Sequence, residues 1–237
     1  MQRKTIGILG GMGPAATAEL FNIIIDNTIA ETDQDHISTI VINDPQVPDR
    51  TKFILGEGKS PVPKLLENLK KLYLIGADVA IIPCMTAHSF LPELQKQSPI
   101  QIINTMELVE RYISEHYPSL TRVGLLATTG SIKSGVYNRY LTRQILTPTA
   151  DEQRNLMNII YGYDGIKAGN VTAATTFEVE RIIDTLRRND IHGVIAGCTE
   201  LSLVLHEKSV QLPIIDPIKI LAKEAVRLGS ANLFANI

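Results

Sequence analysis

Three short motifs of this chain occur twice, in the same order and at nearly the same spacing, and this repeat limits the fold more than any other feature of the sequence. IGILGGMG at Ile6–Gly13 returns as VGLLATTG at Val123–Gly130, IIPCMTAH at Ile81–His88 as IAGCTEL at Ile195–Leu201, and IIN at Ile102–Asn104 as IID at Ile214–Asp216. The offsets are 117 residues (Ile6 to Val123), 114 (Cys84 to Cys198) and 112 (Ile102 to Ile214). Similarity among buried strands accounts for the apolar letters but not for a cysteine at the equivalent point of each copy. The expectation is two halves related by a pseudo-two-fold axis, 1–116 carrying Cys84 and 117–237 carrying Cys198, with the C-terminal helix a candidate to pack on the first half.

Within each half, short apolar runs alternate with longer stretches of helical pattern. Strands are expected at Thr5–Leu9, Ser38–Ile42, Val79–Ile82, Ile100–Ile103, Val123–Ala127, Gly193–Ala196 and Leu212–Ile215. These runs are continuous rather than alternating, as in parallel strands covered on both faces. Helices are expected at Ala15–Ile29, Pro63–Leu74, Thr105–His116, Gly135–Leu146, Thr175–Arg188 and Pro217–Leu228, with a further helix and turn within 147–169 around Asn155–Ile160. Pro14 suits a first helical turn, Gly76 a helix C-terminus, and Thr175 with Glu178 a capping box. Strand, helix, strand in this order predicts an α/β fold, each domain a mostly parallel sheet flanked by helices.

The chain carries 23 Lys plus Arg against 25 Asp plus Glu, a formal net charge of −2, and no dense basic patch, which argues against nucleic acid as a partner. No apolar run approaches the roughly 18–20 residues of a membrane span, so no membrane partner is expected. The basic residues before Ile6 precede too short an apolar stretch for a signal peptide. Two cysteines make no disulfide framework, and a reducing, cytoplasmic setting is the expectation.

Ligands of open α/β sheets sit beyond the carboxyl ends of the strands, and each cysteine and each Gly/Thr loop lies at such an end. Two halves packed face to face would present one thiol from each side of a small site. A free cysteine is ordinarily a small buried hydrophobe, but equivalent placement in both copies points to function. Helix N-termini after the strands would favour thiolate. Metal binding is disfavoured by the few ligands at hand, and thioredoxin-like redox chemistry by the lack of C-x-x-C. Opposed thiols suit removal of a proton from one face of a carbon and its return on the other, which inverts a stereocentre. The carbanion so formed at an amino-acid α-carbon needs hydrogen bonds to its carboxylate. Candidate donors are Thr86, Thr128, Thr129 and Thr199, each equally readable as a helix cap, with Met12 and Gly13 in a loop that permits close backbone approach. His88 and Glu200 stand where they could tune the thiols, and His88 reads equally as a packing residue.

GILGGMGP at the start, PDR at Pro48–Arg50, PCMTAH at Pro83–His88, ATTGS at Ala127–Ser131, IKAG at Ile166–Gly169 and GCTE at Gly197–Glu200 together resemble the aspartate/glutamate racemase family over nearly the whole chain. The resemblance implies a cofactor-independent amino-acid racemase, a homodimer of two-domain subunits, with Cys84 and Cys198 as acid and base and with Arg50 and Lys167 binding the side-chain carboxylate of the substrate. Glutamate racemases proper carry an Asp-Ser pair in the first loop and a His after the second cysteine. Gly10-Gly11-Met12-Gly13 and Glu200 favour the aspartate type. Met85 stands where the family usually has Asn, and a thioether cannot donate to a carboxylate as an amide does. Ser131 replaces the usual Thr and keeps a hydroxyl. Alternatives on the same scaffold are hydantoin racemisation, maleate isomerisation and malonate decarboxylation, the last needing a single thiol. A binding protein that senses an amino acid without turning it over is a reading from another class.

Overall fold

In the computed structural model, which describes residues 3–205 and 210–230, the apolar runs form two wholly parallel sheets. The first contains β1 (Ile6–Gly10), β2 (Thr39–Asn43), β3 (Val79–Ile81) and β4 (Gln101–Ile102) in the order β2-β1-β3-β4. The second contains β5 (Arg122–Leu126), β6 (Gln144–Leu146), β7 (Gly193–Ala196) and β8 (Ile214–Ile215) in the order β6-β5-β7-β8. One order maps onto the other, and so does the register. Ile6 pairs with Val79, and its repeat equivalent Val123 pairs with Gly193. Cys84 and Cys198 each stand five residues beyond that paired residue. In each sheet the chain leaves the second strand of the order to one side and later crosses back to the other. The β1/β3 and β5/β7 gaps are therefore topological switch points, where a crevice opens beyond the carboxyl ends.

The helices are α1 (Pro14–Asp26), α2 (Arg50–Ile54), α3 (Val62–Leu74), α4 (Leu91–Gln97), α5 (Thr105–His116), α6 (Thr129–Ser134), α7 (Ala150–Tyr161), α8 (Ala173–Arg188) and α9 (Pro217–Gly229). Their ends follow local chemistry. Pro14 occupies the first turn of α1, where its missing N–H is no loss. Gly76 takes φ +96° after α3, its N–H reaching Tyr73 O and that of Ala77 reaching Leu72 O, a Schellman motif. The third repeated motif supplies matching caps: Asn104 accepts from Met106 N ahead of α5, and Asp216 from Ile218 N ahead of α9.

The core lies in three clusters. One packs α3 and α4 on the first sheet through Leu65, Leu69, Leu72 and Leu94. Another packs α7 and α8 on the second through Leu156, Ile160, Ile183 and Leu186. The middle cluster draws on both halves: Leu20 and Ile24 of α1, Val109 and Ile113 of α5, and Leu221 and Ala225 of α9 meet Ile8, Val123 and Ile195. Helix α9 thus returns from the second sheet and lies against α1 and α5. No helix among the described residues is long and apolar enough to cross a membrane.

Two expectations are corrected. Gly135–Leu146 is not a helix. Thr128 caps α6 upstream, Gly135 ends it at φ +65°, and Gln144–Leu146 forms β6, the edge strand equivalent to β2. The apolar letters that suggested a helix, Val136, Tyr137 and Leu141, are buried in turns of the middle core. The capping box at Thr175 and Glu178 is also absent: α8 starts at Ala173, and Thr172 Oγ1 accepts from Thr175 N instead. A capping box does form at Thr149 and Glu152, ahead of α7.

Candidate active site

The two switch points face each other, and the loops beyond them bond across the seam. Thr86, two residues past Cys84, meets Thr128 and Ser131 of the other half with Oγ separations of 3.0 and 2.9 Å. Thr128 and Ser131 are 3.1 Å apart, which closes a ring of three buried hydroxyls. Thr199, one past Cys198, donates to Pro83 O at 3.2 Å. Lys167 Nζ donates to Met12 O at 3.1 Å, and Arg50 NH2 donates to the same carbonyl at 3.1 Å. The two cations, 117 residues apart in sequence, are therefore gathered on one main-chain oxygen.

Local structure sets each of these groups. Asp49 caps α2 through Lys52 N, and this turn carries Arg50 inward, where it is only 6 % exposed. Its NH1 donates to Val47 O and Pro48 O, while buried Nε has no partner among the described residues, a free donor at the site. Gly130 is required where α6 meets α2, since a Cβ there would lie 2.8 Å from Thr51 Cα. Gly13 leaves room for Glu200 and Lys167, whose Oε1 and Nζ would lie 3.0 and 3.6 Å from a Cβ at that position.

Cys84 and Cys198 cap short 3-10 turns, Met85–Phe90 and Thr199–Leu203, and both are buried. Cys198 Sγ donates to Glu200 Oε2 at 2.9 Å, and Glu200 Oε1 is ion-paired with Lys167. Burial pushes the Cys198 thiol well above its usual value and the Glu200 carboxylate pushes it further, against the pull of Lys167. At Cys198 burial, and then the neighbouring anion, thus oppose the thiolate that the turn's N-terminus is expected to favour, and a five-residue turn has little dipole to set against them. Burial works against ionisation of Glu200, yet Lys167 and the thiol hold its carboxyl below the usual range. Burial likewise opposes charge on Lys167, but Glu200, then Cys198, keep it firmly protonated, and Cys84 adds to the effect. Both sulfurs thus lie within electrostatic reach of one ammonium.

The remaining residues singled out from sequence divide. Thr129 sits at the edge, its N–H donating to Met157 Sδ at 3.2 Å and its hydroxyl accepting from Gln153 Nε2 at 3.3 Å. Met85 sends its side chain into the middle core, which an Asn at this position could not do without burying an amide. His88 lies behind Cys84, its Nδ1 3.0 Å from Cys84 O, while Nε2 is buried without a partner among the described residues. Two tyrosines escaped sequence reasoning. Tyr137 donates to Gly197 O at 3.0 Å, fixing the loop before Cys198, and the Tyr161 ring stands 5.4 Å from Lys167 Nζ. Burial raises the pKa of both phenols, with Cys198 adding to each, so they remain neutral donors.

Burial lowers His88 from 6.5 to about 4. The unfolded chain protonates this group near its ordinary value and the folded chain resists, so stability is full above about pH 6.5. It falls by about 3 kcal/mol as the pH drops to about 4. Urea unfolding at pH 7 and pH 4.5 should show a smaller acid loss for His88→Asn, which keeps a donor near Cys84 O but cannot take the proton. An equal loss in both proteins would count against this origin.

The model of the Asp/Glu/hydantoin racemases matches residues 9–225. The chain belongs to that family. Membership makes it a racemase, an isomerase. It is 26% identical over 231 residues to the broad specificity amino-acid racemase RacX of Bacillus subtilis (strain 168), covering 93% of this chain and 96% of that one. Among solved structures it resembles Picrophilus torridus aspartate racemase, with a TM-score of 0.82 at 29% identity over 94% of this chain and 93% of that one. An aspartate racemase homologue from Pyrococcus horikoshii OT3 shares the fold, with a TM-score of 0.74 at 22% identity over 95% of this chain and 99% of that one.

Proposed function

We propose that this racemase interconverts L- and D-aspartate, with glutamate as a second substrate, using Cys84 and Cys198 on opposite faces of the α-carbon and no cofactor. The observation that carries this reading is the equivalence of the two cysteines, five residues past paired positions on facing switch points. One sulfur, as thiolate, takes the α-hydrogen as a proton. The C–H electron pair passes into the α-carboxylate, and the other sulfur, as thiol, delivers its proton to the opposite face. The buried hydroxyls of Thr86, Thr128 and Ser131, bonded to one another, can turn a proton toward that carboxylate, while the Thr199 hydroxyl, donating to Pro83 O, holds the two cysteine loops together. Arg50, with its free Nε, and Lys167 are suited to a second carboxylate, the feature that separates aspartate from neutral amino acids. A homodimer, implied by the family resemblance, and a cytoplasmic setting, expected from the two free thiols, belong to the same reading.

Incubation in deuterium oxide with L-aspartate, L-glutamate, maleate and two neutral amino acids tests it. The expected product of L-aspartate is D-aspartate carrying one deuterium at the α-carbon, read by chiral chromatography and mass. Inversion of neutral amino acids with aspartate untouched, or conversion of maleate alone, would sink the assignment.

A further inference from the structure

The repeat makes the two thiols equivalent in backbone, but the residues two positions past them are chemically unlike. After Cys84 this position is Thr86, closed into a neutral ring with Thr128 and Ser131. After Cys198 it is Glu200, 2 % exposed, with one oxygen accepting from Cys198 Sγ at 2.9 Å and the other paired with Lys167. Lys167 is anchored in turn on Met12 O at 3.1 Å, and the absence of a side chain at Gly13 makes room for the pair. Near Cys84 the charged neighbour has the opposite sign, the guanidinium of Arg50. The fold thus places an anion against one sulfur and a cation near the other.

We propose that Glu200 is a positioning residue that holds the shared thiol proton on Cys198 in the free enzyme, so that the two directions of racemisation run with unequal kcat and KM. This rests on the two-thiol reading above. In the resting form Cys198 is the acid and Cys84 the base. The enantiomer whose α-hydrogen faces Cys84 is the one this form accepts. Its C–H bond breaks as an S–H bond forms at Cys84, and the Cys198 S–H bond breaks as the proton reaches the other face of the carbon. Cys198 is left as thiolate against the Glu200 carboxylate, and Lys167, then the main-chain N–H of Glu200, offset that repulsion only in part. The mirror-image substrate must meet this second form, which the free enzyme disfavours.

Enantiomers have equal free energy in water, so kcat/KM is the same in both directions whatever the enzyme does. The asymmetry therefore shows only as a matched split of kcat and KM. Initial rates with L-aspartate and D-aspartate as separate substrates read it. In the unmodified protein the two kcat values should differ several-fold, with KM differing by the same factor. Glu200→Gln, nearly the same shape without the charge, should bring the ratio to within about twofold of one. Glu200→Asp, which keeps the charge, should hold the ratio nearer that of the unmodified protein. A lost fold or lost packing would lower both directions together and leave the ratio where it was. Equal kcat values in the unmodified protein overturn the proposal even if Glu200→Gln does not fold, as does a ratio unmoved by Glu200→Gln. Single alanine variants at Cys84 and Cys198 separate the two claims. If either racemises at the full rate, the two-thiol reading fails and this inference with it. If both are inactive and the ratio is one, only the role of Glu200 fails.

Discussion

Alanine at either Cys84 or Cys198 should lower interconversion of L- and D-aspartate by about 10²- to 10⁴-fold, the range that a positioned acid or base supplies. The loss should fall on kcat, because neither sulfur is needed to hold the carboxylates. Both cysteines are buried, and trimming one removes a single sulfur from a packed loop, at a cost of about 1–2 kcal/mol that leaves the fold intact. Thermal unfolding of each variant checks that point. The sharper measurement follows single enantiomers in deuterium oxide. With one thiol left, the enantiomer whose α-hydrogen faces that thiol can still exchange it, and the other cannot. The two variants should therefore exchange opposite enantiomers. A variant with full activity, or two variants that exchange the same enantiomer, would remove the two-thiol mechanism.

The second large effect is expected at Arg50. Replacement by alanine strips donors from Val47 O, Pro48 O and Met12 O and removes the free Nε. Truncating one partner of a buried charge pair costs about 2–5 kcal/mol, so kcat/KM for aspartate should fall by roughly two to three orders of magnitude. Arg50→Lys should recover little, since a point charge on a flexible stem cannot reach three carbonyls and a carboxylate at once. A neutral amino acid, which lacks the second carboxylate, should suffer much less. If aspartate and a neutral amino acid lose activity equally, Arg50 acts on the loop and not on the side chain of the substrate.

Much of this was readable from the order of residues. The repeat located both sheets and both cysteines, and Asn104 and Asp216, which it paired only as letters, prove to be matching caps, because equivalent backbone needs equivalent turn chemistry. Gly76 and Pro14 marked helix ends for reasons internal to a few residues. Strand β6 was hidden because Val136, Tyr137 and Leu141 carry helical spacing while serving the middle core from turns. The same misreading hid Tyr137. The bond from Cys198 to Glu200 and the pairing of Glu200 with Lys167 form within the second half, where the turn at Ile166–Ala168 packs on the turn at Thr199–Leu203, and periodicity within a segment carries no record of that. Met85 shows the converse: beside Cys84 in sequence, its side chain is packed in the core.

The return of α9 across the molecule sets a condition on how this chain comes into being. Until Leu221 and Ala225 reach Leu20 and Val109, the greasy flank between α1 and α5 stands open, although every strand of the first sheet has long since been made. A ribosome delivers that helix only after the strands of both sheets. The amino-terminal half therefore waits, unfinished and sticky, while the whole second sheet is being made. Stalled or prematurely released chains would be the ones that clump or call on chaperones.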